Sequence, residues 1–426
     1  MQSKFKSLQN DQLFLLPPSI DDFIPEGHLA RVISEVVNTF NTQKIEDQYS
    51  YQGQKSYHPK ILIKLWIYGY ATGTLSGRKI AIKCETDTAY MYLSSMYRPD
   101  FRTINDFRKD NIKSFEGYLV DVIKLCRELG MGSVGTIALD GTKIRANTSA
   151  REMRDQAMYS QWLKEIEDQL ADLTQQADAV NNMEDQVLTN ERGDEIPKEI
   201  RQKETLRKKI QQAIEELKGR DERTNLTDKD VRLMKSAGQI KPNYNCQGAV
   251  TRDGIIVAAY VSNNASDKGQ LMPLINQVEK NTDTQVENIL ADSGYSSYAN
   301  YEWLEQQQKT AYIPDQEYEN REKLKAEPYD KSNFIYDSKK DSYTCPQGKE
   351  LTFDEIVISR TRKQKLRIYR GTQCFNCPVK SDCTKAKLHQ ITQDIREPLR
   401  EKARRILDSP HGKIIYRQRM SMIEPV

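Results

Sequence analysis

Nowhere does the chain hold the run of about 20 apolar residues that a membrane-spanning helix needs. The first residues, Met1-Gln2-Ser3-Lys4-Phe5-Lys6, lead into no apolar signal core, so the sequence reads as cytoplasmic with no membrane partner. It also lacks a charge of one sign: 64 Lys and Arg stand against 61 Asp and Glu, a formal +3 that excludes a uniformly basic or acidic protein. A dense, evenly spread cysteine framework of the secreted kind is missing too. What remains is a polar chain of 426 residues, 37% hydrophobic, with a mean hydropathy of -0.75. That length accommodates two or three domains with a sizeable core.

The unevenness of charge and cysteine says more than the totals. Between Thr384 and Met420 ten Lys or Arg face four Asp or Glu. Arg360, Arg362, Lys363, Lys365, Arg367 and Arg370 form a second basic stretch. Such stripes suit a phosphate backbone, although a single basic run is more often a solvated face. Cys84, Cys126 and Cys246 are scattered and read as small buried hydrophobes. Cys345, Cys374, Cys377 and Cys383 are clustered around one Cys-x-x-Cys pair. In an intracellular chain this pattern predicts a structural, tetrahedral Zn²⁺ site, with His389 as a spare ligand. The β-rich segments Leu351 to Ser359 and Lys365 to Tyr369 lie between the first two of these cysteines and predict a zinc-ribbon-like knuckle. Four reduced cysteines without metal are the competing reading. A redox pair is disfavoured because Phe375-Asn376 opens no helix after a core strand.

Residues 1–131 predict an all-helical domain, within which short helices and tight turns permit a helix-turn-helix. Ile61, Leu62, Leu65, Trp66 and Tyr68 fit one amphipathic helix, and Ser76 suits the cap of the next. Thr103-Ile104-Asn105-Asp106 reads as a capping box before a long helix ending near Leu129-Gly130. Residues 132–320 predict the first part of an α/β core, interrupted over 150–235 by an antiparallel helical hairpin. Its seams are Trp162, Ile166, Leu170 and Leu173 on one helix and Leu206, Ile210, Ala213, Ile214 and Leu217 on the other, with a break at Gly193 and Pro197. Thr251-Arg252-Asp253-Gly254 between apolar runs is a hairpin signal. Residues 321–388 form the cysteine-rich β insertion, and 389–426 supply basic C-terminal helices that complete the core.

Two apolar runs end in aspartate: Thr136-Ile137-Ala138-Leu139-Asp140-Gly141 and Asn288-Ile289-Leu290-Ala291-Asp292-Ser293-Gly294. Each reads as a buried strand delivering a carboxylate to a sheet's C-terminal edge. A lone aspartate there is usually a cap or turn former. Two in matching contexts, with Glu424 late in the chain, suit divalent-cation and phosphate chemistry. The element order (strand with aspartate, hairpin, helix, strand with aspartate, helix, strand) is that of an RNase H-like mixed sheet. Asn263, Asn264 and Asp267 follow the third strand as candidate supports. For Asp267 a helix cap explains the residue equally well.

Leu139-Asp140-Gly141-Thr142-Lys143-Ile144-Arg145-Ala146-Asn147 resembles the first-aspartate block of bacterial insertion-sequence transposases of the DDE type. Ala291-Asp292-Ser293-Gly294-Tyr295 resembles their second block, and the segment from Tyr416 through Arg419 to Glu424-Pro425-Val426 their Tyr-Arg-Glu block. Thr227 to Lys235, Tyr244-Asn245-Cys246-Gln247, Tyr57-His58-Pro59 and Pro99 to Arg108 add further matches along nearly the whole chain. The resemblance implies Asp140, Asp292 and Glu424 as a catalytic triad binding Mg²⁺ or Mn²⁺, with two ions. It implies DNA contacts by Tyr416, Arg419, Lys143 and Arg145. It also implies double-stranded DNA partners (terminal inverted repeats and target DNA), a homodimer, and a nucleoid-associated place in the cytoplasm. Family members continue past this block into Phe-Gly and a lysine, whereas this sequence stops at Val426, which reads as a truncated copy. The alternative function is therefore a catalytically inactive transposase that binds element DNA as a repressor or oligomer subunit. A tyrosine recombinase is disfavoured, because His28-Leu29-Ala30-Arg31 lies too early to leave room for that catalytic domain.

Overall fold

The computed structural model describes residues 19–49, 55–184, 198–220, 222–359 and 364–424. Gly193, Pro197, Arg360, Arg362 and Lys363, each given a meaning above, lie outside them. The chain divides into two compact units, Met1–Leu129 and Gly130–Val426. Among the described residues, no helix is long and apolar enough to cross a membrane.

The first unit is helical: α1 (Leu29–Thr39), α2 (Gln43–Glu46), α3 (Pro59–Ala71), α4 (Gly77–Thr86), α5 (Thr88–Leu93), α6 (Phe101–Asp110) and α7 (Ile112–Glu128). Pro59 occupies the start of α3, where its missing N–H costs nothing, and the His58 ring accepts from Lys60 N at 3.2 Å. Ile63, Leu65, Trp66, Ile80, Tyr90, Leu93 and Ile104 are fully buried together. The Trp66 indole donates to the Ile104 carbonyl at 2.9 Å, which satisfies its one polar atom inside that core.

Two local expectations fail here. Thr103 to Asp106 is not a capping box but helix interior. Asp100 caps α6 two residues before Arg102, whose N–H its carboxylate accepts at 2.8 Å. The expected long helix is two helices, broken at Asn111. Ser76 stands at the cap position of α4 without a side-chain bond.

The second unit opens with β1 (Thr136–Arg145) and the hairpin α8 (Gln156–Glu184) and α9 (Lys198–Leu217). Tyr159, Ile166 and Leu170 pack there against Ile210, Ala213 and Leu217. Next come β2 (Arg232–Ser236), β3 (Gln239–Thr251), β4 (Ile256–Ser262), α10 (Leu271–Thr282), β5 (Asn288–Leu290), α11 (Tyr298–Gln306) and β6 (Thr310–Tyr312). β1 pairs antiparallel with β3 and parallel with β5, and β5 pairs parallel with β6. β4 and β2 lie in succession along the other edge of β3. Gly254, at φ +80°, makes the β3–β4 turn after Asp253. The β2–β3 hairpin turns at Ala237 and Gly238, both with positive φ, as a two-residue turn between twisted strands requires.

After α12 (Arg321–Ala326) a separate antiparallel meander forms from β7 (Ile335–Asp337), β8 (Ser342–Thr344), β9 (Glu350–Ile358), β10 (Lys365–Arg370) and β11 (Gln390–Asp394), with α13 (Lys380–Cys383) before its last strand. The β unit thus runs past residue 388 to Asp394. Phe334, Tyr343, Leu351, Tyr369 and Ile391 fill its core. α14 (Glu397–Asp408) and α15 (Pro410–Ile423) then return to the main sheet. Leu407, Met422 and Ile423 pack there on Ala138, Val250, Leu290 and Tyr312. The α14–α15 corner is tight: a Cβ on Gly412 would stand 2.0 Å from the Ile406 carbonyl oxygen.

Candidate active site

β1 is buried from Ile137 to Leu139 and half-buried at Asp140 and Gly141, and it reaches full exposure only at Thr142, Ile144 and Arg145. In the parallel register Ala138 stands opposite Leu290. Asp140 and Asp292 each follow these partners by two residues, so both carboxylates reach the same level just past the β1–β5 pairing. Asp292 leaves β5 there as expected, whereas Asp140 does not end its strand, because β1 runs on to Arg145 against β3. Backbone turns steady them. Asp140 Oδ1 accepts from Gly141 N, and Asp292 Oδ1 from Gly294 N, both at 2.8 Å.

The edge is crowded with negative charge. Burial pushes the Asp292 carboxyl above its ordinary range. The Gly294 N–H and Arg419 work against that, while the charges of Asp140 and Asp267 add to it. Arg419, on α15, pairs with Asp140 Oδ1 at 3.3 Å. Its Nε is buried without a partner. Tyr416, one turn earlier, is half-buried against the α14–α15 packing on the sheet. Glu424 is the C-cap of α15, and its carboxylate is exposed. It follows directly on Ile423, which is seated on the sheet. Among the described residues, no three His, Cys, Asp or Glu side chains are closed into a metal-ligand group.

Lys143 and Arg145, two and four residues beyond Gly141 on β1, part company. The Lys143 ammonium is turned onto Asp267 Oδ1 at 3.2 Å, both side chains being mostly buried. Arg145 is exposed and lines an open cleft with Asn147, Thr148, Ser149 and Glu152.

Asp267 is the residue that sequence reasoning undervalued. The turn it opens is capped by Ser266, whose Oγ accepts from Lys268 N at 3.3 Å, so the aspartate itself is no cap. A usable signal was present. Asn245 and Gln247 are polar, alternate on a strand, and are buried, which demands a polar partner inside.

The four cysteines of the meander are unpaired and half-buried. Burial first, then the nearby charges of Cys374, Cys345 and Cys377, push the Cys383 thiol up. The four sulfurs therefore lie within electrostatic reach of one another. His389 Nδ1 stands 3.2 Å from Cys383 Sγ, and its ring stacks on Phe334. Of the scattered cysteines only Cys84 is buried; Cys126 and Cys246 are half-buried, Cys246 on the face of β3 opposite the buried Asn245, Gln247 and Ala249.

Residues 18–110 match the family model described as a transposase domain (DUF772), and residues 344–426 the one described as a transposase DDE domain. The second match contains the four clustered cysteines, Tyr416, Arg419 and Glu424. Neither reaches Asp140, Asp267 or Asp292. No curated protein and no solved structure matches the chain.

Proposed function

We propose that the edge formed by Asp140 and Asp292 is the catalytic centre of an insertion-sequence DDE transposase, a reading the two matched transposase domains support. There it would cleave DNA strands and transfer them at the ends of the element. One observation carries the reading: two carboxylates stand level, one on β1 and the other two residues past the end of its parallel neighbour β5, with an arginine from the C-terminal helix laid on the first. The strand order β4-β3-β1-β5-β6, antiparallel on one side of β1 and parallel on the other, supports an RNase H-like core.

The donor set fits a divalent cation. It is all oxygen, and burial first, then the neighbouring Asp140 and Asp267 charges, weigh against a bare anion at Asp292, a cost that a cation would offset. Asp140 and Asp292 would hold it, with Glu424 approaching from the end of α15. Mg²⁺ or Mn²⁺, with two ions in the full site, would supply activation of the attacking oxygen and stabilisation of the leaving one. Arg419 has a buried, unpartnered Nε and suits a DNA phosphate, which would satisfy that donor and draw the guanidinium from Asp140. Tyr416 lies beside it. Arg145, exposed further along β1, can meet the backbone outside the cut. Lys143 keeps its ammonium on Asp267 and holds the site together rather than reaching DNA. Pairing two element ends calls for a dimer on DNA. The four cysteines would hold Zn²⁺ as a structural pin of the meander, in the manner of a zinc ribbon.

The test is Mn²⁺- or Mg²⁺-dependent cleavage of a duplex carrying the element's terminal repeats. Asp140→Asn and Asp292→Asn are expected to abolish cleavage while the gel shift of the same duplex persists. Full cleavage by either variant would refute the assignment.

A further inference from the structure

We infer that Asp267 is a third carboxylate of the divalent-cation site, held in place by a buried polar network. The inference rests on the reading of Asp140 and Asp292 as cation ligands and adds a residue to it. Three donors converge on one oxygen of Asp267. Asn245 Nδ2 approaches Oδ1 at 2.6 Å, Gln247 Nε2 at 2.8 Å and Lys143 Nζ at 3.2 Å. They come from paired positions, since Lys143 stands opposite Asn245 and Gly141 opposite Gln247 across β1 and β3. Gln247 is fixed in turn by the buried Tyr295 hydroxyl, which follows the Asp292 turn. A carboxylate so fully engaged through Oδ1 has a fixed orientation, and its Oδ2 is directed to the other side.

That other side is the Asp292 turn. A Cβ built on Gly294 would lie 2.9 Å from Asp292 Oδ1 and 3.3 Å from Asp267 Oδ2. The two carboxylates thus close on the same small space. A Cβ on Gly141 would lie 2.4 Å from Gln247 Nε2 and 2.8 Å from Asp267 Oδ1. At Gly141 Asp267 and its network occupy the space a side chain would need, and at Gly294 the Asp292 carboxylate occupies it first, with Asp267 behind it. Capping does not account for Asp267, because Ser266 caps the turn. Pairing with Lys143 alone does not account for two neutral donors on the same oxygen. A network that pins Oδ1 and presents Oδ2 beside a second carboxylate is how a cation ligand is oriented.

Asp267→Asn separates the two roles. Its amide oxygen can still accept from Asn245, Gln247 and Lys143, while an N–H₂ replaces Oδ2. Binding of Mn²⁺ to the full chain without DNA, followed by the electron paramagnetic resonance of the free ion, is expected to weaken about tenfold or more in Asp267→Asn. The metal-free melting temperature should stay close to that of the parent. Asp267→Glu, which keeps the charge, should retain part of the affinity. Parent-like Mn²⁺ affinity in Asp267→Asn, with Asp292→Asn impaired, would overturn this inference and leave the site standing. Unchanged affinity in Asp140→Asn, Asp292→Asn and Asp267→Asn alike would overturn the site itself. Carbodiimide labelling of the parent protein needs no variant: Mn²⁺ should shield Asp267 together with Asp140 and Asp292. Shielding of the latter two alone would again overturn the inference.

Discussion

The ion pair between Arg419 and Asp140 sets a measurable competition. In the DNA-free protein the guanidinium lies 3.3 Å from the carboxylate a cation would use, and its charge also bears on Asp292. At that separation Coulomb's law gives about 1 kcal/mol in water and about 5 kcal/mol at an effective dielectric near 20. The Arg419 side chain is 14% exposed but that of Asp140 is 44% exposed, so solvent screening favours the lower figure. Replacing Arg419 by Gln should then tighten Mn²⁺ binding by the DNA-free protein by about 1 kcal/mol, roughly fivefold in the dissociation constant. The assay is Mn²⁺ titration near pH 8, on the alkaline side, because the Asp292 carboxyl is raised and protons compete with the cation for it as pH falls. Arg419 also lowers the Asp292 carboxyl, so its loss would strengthen proton competition in acid and blur the effect there. The same variant should bind the terminal-repeat duplex more weakly. Unchanged or weakened Mn²⁺ affinity in Arg419→Gln would show that the guanidinium does not compete with the cation.

Two further perturbations address what holds the site up. Asp315, nearly buried after β6, pairs with Arg404 of α14 and with Arg321 at 2.8 Å. Burial tends to raise its carboxyl, but the two arginines win and hold it below the ordinary 3.8. A depressed carboxyl contributes stability that is complete above the ordinary value and is lost as pH falls through the folded one. Denaturant melts should therefore show Asp315→Asn less stable by roughly 2–3 kcal/mol near neutrality, with the gap narrowing below pH 4, since both arginines can still reach water. A constant gap down to pH 3 would refute the electrostatic account. For the cysteines, protein prepared without chelator should carry about one Zn²⁺ per chain by elemental analysis, the count a four-sulfur site implies. Cys374→Ser should abolish it and lower the melting temperature; metal-free native protein would refute the site.

The sequence was legible wherever one residue type forced one geometry. An apolar run ended by Asp-Gly or Asp-Ser-Gly marks a strand leaving the core, and Asp140 and Asp292 are found at such ends. The hairpin at Asp253-Gly254 followed from its turn residues between apolar runs, and the seam of Ile166, Leu170, Ile210 and Leu217 from period. Failures came where several polar residues competed for one job. Thr103 reads as a cap because Asp100, the real one, stands only three residues earlier and both residue types cap helices. β2 is short and mixed in character, and only the Ala237-Gly238 turn betrays it. Asp267 sits in a turn of Asn, Ser and Asp where any of them can cap. Its role is written in residues about 20 positions earlier, Asn245 and Gln247, which only the fold brings to it. The pairing of Asp315 with Arg404 spans 89 positions and has no local signature.

These contributions differ in how firmly they are fixed, and the difference bears on the order of events. Asp140 and Asp292 are set by sheet register, and Asp267 by a closed hydrogen-bond network. Tyr416, Arg419 and Glu424 all ride on α15, held to the sheet by Leu407, Met422 and Ile423, by the close corner at Gly412, and by Arg404 on Asp315. Under the proposed reading, a phosphate that takes Arg419 frees Asp140 for the cation, and a cation that takes Asp140 frees Arg419 for the phosphate. Coupling of this kind is reciprocal. DNA should then raise cation affinity by the same factor by which the cation raises DNA affinity. The cation site would be filled mainly once DNA is in place, which disfavours cutting without a bound end.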